Sequence, residues 1–308
     1  MRNAFADEIT NLGSADARVV LLSGDIGNKL FDKFKAAAPA RFFNCGVAEA
    51  NMMGVAAGMA LCGLRPVIYT ITPFTTTRCF EQIRVDACYH HVPVVIVGTG
   101  SGLSYAELGP THHSCEDLAI LRTLPGMTVV APGDALELRL ALRAALKHDG
   151  PVYMRIGKKG EPPIHNAEPA FEFGRAITVR EGSDVCLIAT GVMVATALAA
   201  AELLAARGIA ARVESFHTVK PLDQARLREI FSGYSLAAVI EEHGRIGGLG
   251  GAIAEWRATQ DAPRAKLIAF GTDDVFMHEV GSQDYARRKF GLTSENIVDR
   301  VAAGLDAR

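Results

Sequence analysis

Apolar runs short enough to be strands alternate along the chain with longer amphipathic or alanine-rich stretches. That alternation predicts parallel sheets wrapped by helices. Residues 1–15 read as an amphipathic helix. The run 19–22 is a strand that stops in Ser23-Gly24-Asp25-Ile26-Gly27, a polar loop. Phe42-Phe43-Asn44-Cys45 reads as a short buried strand, Gly46 lets the backbone turn, and a helix almost free of charge begins at Val47. Residues 66–69 are the next strand, followed by a threonine-rich loop, 70–78, whose one aromatic is Phe74. A helix is expected over 79–90. The β-branched run 92–97 is the most strand-like in the chain. It opens into a glycine-rich loop, 98–110, which is too long for a simple connection and so points to function. This loop runs on into Thr111-His112-His113-Ser114. A helix (116–121), a strand (128–130), a helix (135–147) and a strand (152–155) complete the first unit.

Residues 157–173, with Lys158-Lys159-Gly160, Pro162-Pro163 and Pro169, have linker composition. The units are therefore set at 1–160 and 174–308, with 161–173 between them. In the second unit, strands are expected at 184–189, 211–216, 236–240 and 266–269. An alanine-rich helix covers 192–206, and another helix starts at Pro221. Glu241-Glu242-His243 ends the third of these strands. A glycine-rich turn, 244–251, leads into a helix over 252–259, and Thr293 can cap the last helix. The fold class is α/β, with two doubly wound domains: a parallel-sheet domain, then a smaller mixed-sheet one.

Composition narrows the function. A chain of 308 residues with 49% hydrophobic and 21% charged residues can bury two ordinary cores. A formal charge of -2 argues against nucleic acid or an anionic membrane as partner. The six cysteines include no C-x-x-C pair, so they read as reduced core residues, consistent with a cytoplasmic protein. Acids at Asp7 and Glu8 stand where a secretory leader would be apolar.

The charge-poor helix holds one carboxylate, Glu49, in its first turn. There the helix dipole favours an anion, while burial favours the neutral acid. Gly54 and Gly58 clear one face of the helix at about 1 kcal/mol each against alanine, which close approach of another backbone would offset. Two readings stand: a helix-terminal carboxylate that tunes stability, and a buried acid with a polar task at an interface. Asp25, at the end of a strand, lies where ligands gather in open α/β sheets, or is a turn residue. Adjacent His112 and His113 cannot easily share a metal. An acid/base or hydrogen-bonding role for one of them is preferred. The 244–251 turn does not fit G-x-G-x-x-G, and hydrolase motifs are absent.

The order of these motifs carries a resemblance. Cys45-Gly46-Val47-Ala48-Glu49, Phe74, Phe80-Glu81-Gln82-Ile83-Arg84 and Gly109-Pro110-Thr111-His112 resemble the pyrimidine-binding domain of transketolase-type thiamine diphosphate enzymes. Residues 184–191, Thr218-Val219-Lys220-Pro221-Leu222-Asp223, and Glu241-Glu242-His243 with Gly247-Gly248-Leu249-Gly250 resemble the C-terminal domain of the same family. The likeness is strongest to the C-terminal subunits of split transketolases. It implies that Glu49 hydrogen-bonds N1′ of the aminopyrimidine and activates the cofactor, which then carries the carbanion. It implies that Phe74 stacks on the pyrimidine, Ala48 lies beside it, and His112 stabilises the oxyanion of the reacting carbonyl or shuttles its proton. Arg155 would bind the far phosphate of a sugar, and Asp25 would line the substrate channel.

Two departures from the family pattern matter. No Gly-Asp-Gly followed by a downstream Asn occurs, since Gly24-Asp25-Ile26 and Gly133-Asp134-Ala135 both fail. That motif holds the metal, Mg2+ or Ca2+, and the diphosphate. The resemblance thus implies a second, N-terminal subunit that holds both, an α2β2 assembly, and no metal ligand in this chain. Gly54 and Gly58 are then candidates for packing across that interface. Second, Leu108 stands where an aspartate usually meets the donor's C2 hydroxyl, and Gly100 where a phosphate-binding histidine is common. An unpaired hydroxyl against leucine costs about 1–3 kcal/mol. This points away from a standard pentose-phosphate role and towards a specialised small-molecule sugar. The leading expectation is transfer of a two-carbon ketol unit between a ketose and an aldose-type acceptor. The alternatives are an E1 β subunit of a 2-oxoacid dehydrogenase, acyl transfer like that of 1-deoxyxylulose-phosphate synthase, and a non-enzymatic nucleotide-binding module.

Overall fold

The computed structural model describes residues 1–306 apart from 28, 159, 262 and 263. Lys159 of the expected linker therefore lies outside the described residues. The first half supplies β1 (Val19–Ser23), β2 (Phe42–Asn44), β3 (Arg65–Ile71), β4 (Val95–Thr99), β5 (Thr128–Val130) and β6 (Val152–Ile156). The second half supplies β7 (Ile177–Arg180), β8 (Val185–Ala189), β9 (Ala211–Ser215), β10 (Thr218–Lys220), β11 (Leu236–Gly244) and β12 (Lys266–Thr272). They form a seven-stranded sheet, β10-β5-β6-β4-β3-β1-β2, and a five-stranded sheet, β12-β11-β8-β9-β7. All pairs are parallel except β10 on β5 and β7 on β9. The α/β class with a mostly parallel sheet and a smaller mixed one is as the alternation predicts.

The strand period of two divides the first core between two helical layers. Val20, Leu22, Ile68 and Ile96 face Met52, Met53, Ala56 and Ile83 on one side. Leu21, Val67, Val95 and Val97 face Phe5, Ile9, Phe34 and Leu138 on the other. β1, β4 and β6 are buried along their whole length, which is why their sequences read as continuous apolar runs.

Several elements differ from the expectation. Phe42-Phe43-Asn44 is an edge strand, paired only with β1, and Phe43 and Asn44 are exposed rather than buried. The loop 70–78 contains a helical turn, Thr72–Thr75, whose carbonyl at Thr72 accepts from the hydroxyls of Thr75 and Thr76 at 3.0 and 2.7 Å. The helix expected over 79–90 is an α-turn, Phe80–Gln82, that widens into a π-helix, Ile83–Tyr89. β11 includes Glu241-Glu242-His243, which were expected to end it, and closes one residue later at Gly244. The helix expected to start at Pro221 starts at Gln224, because the Asp223 carboxylate accepts from Arg226 N at 2.9 Å. β7 and β10 were not visible as apolar runs. β10 joins the sheet of the other half and ties the two halves together.

Residues 161–173 cross the surface without regular structure. They are held by the Met1 ammonium on Glu161 (2.5 Å), Ile164 N on Asp134 Oδ2 (2.9 Å), His165 on Glu137 (2.8 Å) and Phe171 stacked on His217 at 4.1 Å. Among the described residues no helix is long and apolar enough to cross a membrane.

Candidate active site

Because β1, β2, β3, β4 and β6 run parallel, their C-terminal ends share one edge of the sheet. Asp25 follows β1, Glu49 follows β2, Phe74 follows β3, the long loop with His112 follows β4, and Arg155 lies near the end of β6. Ligands bind at this edge in open α/β sheets.

Glu49 is the first residue of the helix Glu49–Leu61, with exposed Ala48 as N-cap. Its side chain is 4% exposed, and Oε2 accepts from Arg78 Nη1 at 2.9 Å. The sequence reading did not include Arg78. Its guanidinium lies over the Phe74 ring with Cζ 4.0 Å from the centroid. Phe74 is half-buried and meets the His112 ring edge-to-face at 5.3 Å between centroids. Glu49, Phe74 and His112 are thus brought together, with Arg78 joining the first two. This arrangement tests whether an aminopyrimidine fits. Arg78 is itself a flat N–H-bearing group that stacks on Phe74 while donating to Glu49, so the residues present suit a planar nitrogen heterocycle. Next to Arg78, burial and the charge of Glu49 push the Cys79 thiol up to about 12. Cys79 donates to Thr75 O at 3.1 Å and is a core residue, not a nucleophile.

The helix Glu49–Leu61 leaves Val55, Gly58 and Leu61 exposed on its outer side, with Val47 exposed before it. A Cβ at Gly58 would meet nothing within 4 Å, so that face is open within this chain.

The two adjacent histidines divide. His113 is buried, and burial lowers its pKa and keeps it neutral. His112 is half-exposed, and its Nδ1 lies 3.0 Å from Thr111 Oγ1. The loop is closed by a bridge: Gly102 N donates to Ser114 O and Ser114 N to Gly102 O, both at 3.0 Å. Gly100 has φ +68°, and a Cβ there would lie 2.0 Å from Tyr105 Cε2. Tyr105 therefore fills the space a side chain at position 100 would take. Leu108 is exposed.

Asp25 is exposed and accepts from Asn44 Nδ2 at 3.2 Å. Arg155 is buried, and two of its three nitrogens donate to protein acceptors: Nε to Asp117 Oδ2 at 2.8 Å, and Nη2 to Ser114 O at 3.0 Å and Glu242 O at 2.8 Å. Tyr153 OH adds a 2.5 Å bond to Asp117. Burial alone would raise the Asp117 carboxyl, but the charges of Arg155 and His243 and these bonds hold it below its usual value. The structure thus places Arg155 behind the His112 loop rather than at an open surface. Among the described residues no group of three His, Cys, Asp or Glu side chains could hold a metal.

A mostly parallel sheet with a buried carboxylate, a cation over an aromatic ring and a histidine loop at its strand ends, followed by a second α/β sheet, sets the class of two-domain α/β protein. The chain belongs to the transketolase family: residues 1–161 match the transketolase pyrimidine binding domain and residues 174–297 the transketolase C-terminal domain. It is 40% identical to the 6-deoxy-6-sulfo-D-fructose transketolase subunit SqwH of Clostridium sp. (strain MSTE9), over 97% of this chain and 92% of that one. It is 33% identical to an apulose-4-phosphate transketolase subunit of Phocaeicola vulgatus, over 96% of this chain and 94% of that one. Among solved structures it resembles a split gene transketolase, described as an inactive beta4 tetramer, with 38% identity, 99% and 98% of the two chains covered, and a TM-score of 0.91. The chain is a split-transketolase-like subunit of a thiamine-dependent family.

Proposed function

We propose that this chain is the catalytic-base subunit of a split transketolase that moves a two-carbon ketol unit from a ketose donor to an aldose-type acceptor. The observation that carries the reading is Glu49, a carboxylate buried at a sheet edge and joined to Phe74 through Arg78. When bound, thiamine diphosphate supplies the electron sink for breaking and making the carbon–carbon bond. Once Arg78 gives up its place on both side chains, Glu49 would share a proton with N1′ of the pyrimidine and Phe74 would stack on that ring, with Ala48 beside it. His112 stabilises charge or moves a proton at the reacting carbonyl oxygen. Asp25 lines the approach. Arg155 commits Nε and Nη2 to Asp117, Ser114 O and Glu242 O, so a grip on a substrate phosphate would fall to Nη1. Its bonds favour a role in holding the loop.

The diphosphate and its Mg2+ or Ca2+ are assigned to an N-terminal partner subunit, because Gly-Asp-Gly is missing here and the relatives are named as subunits. The open face of the helix Glu49–Leu61 is the surface for it. A relative whose chain forms an inactive tetramer of its own kind supports self-association and dependence on the partner, giving α2β2. Relatives named for a sulfonated and a phosphorylated sugar agree with a specialised substrate. A cytoplasmic setting suits cysteines that are all free thiols. The test is Glu49→Gln in the enzyme reconstituted with its partner. Turnover is expected to fall by about 10²–10⁴-fold while assembly and thermal stability hold; wild-type turnover would overturn the mechanism. Ketol transfer to an aldose without lipoamide separates this reading from a 2-oxoacid dehydrogenase.

A further inference from the structure

The loop that carries His112 is built into the other domain. Leu103 and Ala106 are buried in the apolar cluster of the five-stranded sheet, with Leu187, Ile240, Met277 and Ala286. Beside them, Glu242 on β11 directs its carboxylate at the loop: Oε1 accepts from Leu103 N at 2.9 Å. The same carboxylate is held from its own side by Gln283 Nε2, at 2.9 and 3.1 Å to its two oxygens, and by the guanidinium of Arg287. Gln283 also reaches Ser104 Oγ at 3.3 Å. The backbone of β11 grips the other stem of the loop, where Gly244 N donates to Cys115 O at 2.7 Å. Arg155 ties Glu242 O and Ser114 O to one Nη2. Gly102 is what lets the carboxylate come so close, since a Cβ there would lie 2.6 Å from Glu242 Oε1. Both strands of the stem, on either side of the Gly102–Ser114 bridge, are therefore fixed to the C-terminal domain, and His112 is two residues from the closing pair.

We propose that Glu242 is a positioning residue for His112: its buried carboxylate pins the stem of the histidine loop across the domain boundary. The C-terminal domain thereby sets the place of an imidazole it does not touch. This rests on the reading of His112 as the group that acts at the reacting carbonyl. An error of about 1 Å in placing such a group costs about 10²-fold in rate, so a side chain far from substrate can govern turnover.

The test uses the enzyme assembled with its partner subunit and measures kcat, KM and thiamine diphosphate affinity. Glu242→Ala is expected to lower kcat by about 100-fold and leave the cofactor Kd unchanged. Glu242→Gln, which still accepts from Leu103 N, retains most of the rate. Because Glu242→Ala leaves Arg287 without its partner and can fail to fold, Gly102→Ala is the second variant. It drives the loop off the same carboxylate with the charges intact, adds the strain of a φ of +63° at the same bridge, and should show at least the same kcat loss. The deciding measurement is the double variant with His112→Ala. A residue that acts through His112 lowers the rate no further once that imidazole is gone. An equal loss in the presence and absence of His112, or wild-type kcat in both Glu242→Ala and Gly102→Ala, overturns the proposal. A His112→Ala enzyme with wild-type turnover instead overturns the underlying reading, before Glu242 is touched.

Discussion

Arg78 donates to Glu49 at 2.9 Å while its guanidinium lies over Phe74, 4.0 Å from the ring centroid, so one cation links the buried acid to the ring. Glu49 is buried and Arg78 is 43% exposed, which places the pair between a surface ion pair and a buried one. Arg78→Met should cost about 1–3 kcal/mol of stability, because the carboxylate loses its donor. In a Glu49→Gln background the same change should cost clearly less. Urea unfolding of the four chains measures the coupling, and equal costs in both backgrounds would show that the two side chains do not act as a pair.

Arg155 and Asp117 make a separate prediction. The planar fork of Arg155 serves Asp117, Ser114 O and Glu242 O together, and a lysine ammonium cannot match that geometry. Arg155→Lys should lower stability by about 1.5–3 kcal/mol through weakened bonds to charged groups. It should leave unchanged the preference for a phosphorylated over an unphosphorylated substrate. A loss of that preference with stability intact would restore Arg155 to the substrate phosphate.

How much of this was legible depended on distance along the chain. Glu49 could be read from its own neighbourhood, since a single acid in the first turn of a charge-poor helix is a local pattern, although the helix expected from Val47 starts two residues later, at Glu49. The strands of the parallel sheet were legible because burial on both faces leaves an uninterrupted apolar run. Arg78 was not, because its partner is 29 residues away and the threonines around it read as loop. Glu242 was not, because the group it binds is 139 residues away. The same cause hid β10, a three-residue strand whose pairing partner is β5. Phe43 misled in the opposite direction: an aromatic residue in a short strand reads as core, but β2 is the sheet edge and leaves it exposed.

Two glycines with the same backbone sign should behave differently. Gly46 and Gly100 have φ +67° and +68°, so alanine is strained at both. A Cβ at Gly46 meets nothing within 4 Å, whereas one at Gly100 lies 2.0 Å from Tyr105. Gly46→Ala should cost about 1–2 kcal/mol, the left-handed penalty alone. Gly100→Ala should cost a further ~1–3 kcal/mol of overpacking, unless Tyr105 is shortened as well. Thermal unfolding of both single variants and of Gly100→Ala with Tyr105→Ala decides this. Equal costs at the two sites would mean that Tyr105 does not hold the space beside Gly100.

The segment between the two sheets should respond to pH through His165. Burial lowers its pKa, but the 2.8 Å bond to Glu137 and the charges of Glu137 and Asp134 outweigh this, and the net shift is upward. A folded value above the unfolded one means that the protonated imidazole stabilises the docked segment. That contribution is complete below the unfolded value of about 6.5 and is lost as pH rises through the folded value. His217, stacked on Phe171 of the same segment, is shifted downward by burial and opposes the effect at acid pH. His165→Gln isolates the first contribution. The stability gap between wild type and His165→Gln should be wide at pH 6 and should narrow as pH is raised past the folded value, with His217 relieved of the His165 charge in the variant. A gap that widened with rising pH would mean that His165 docks as the neutral ring.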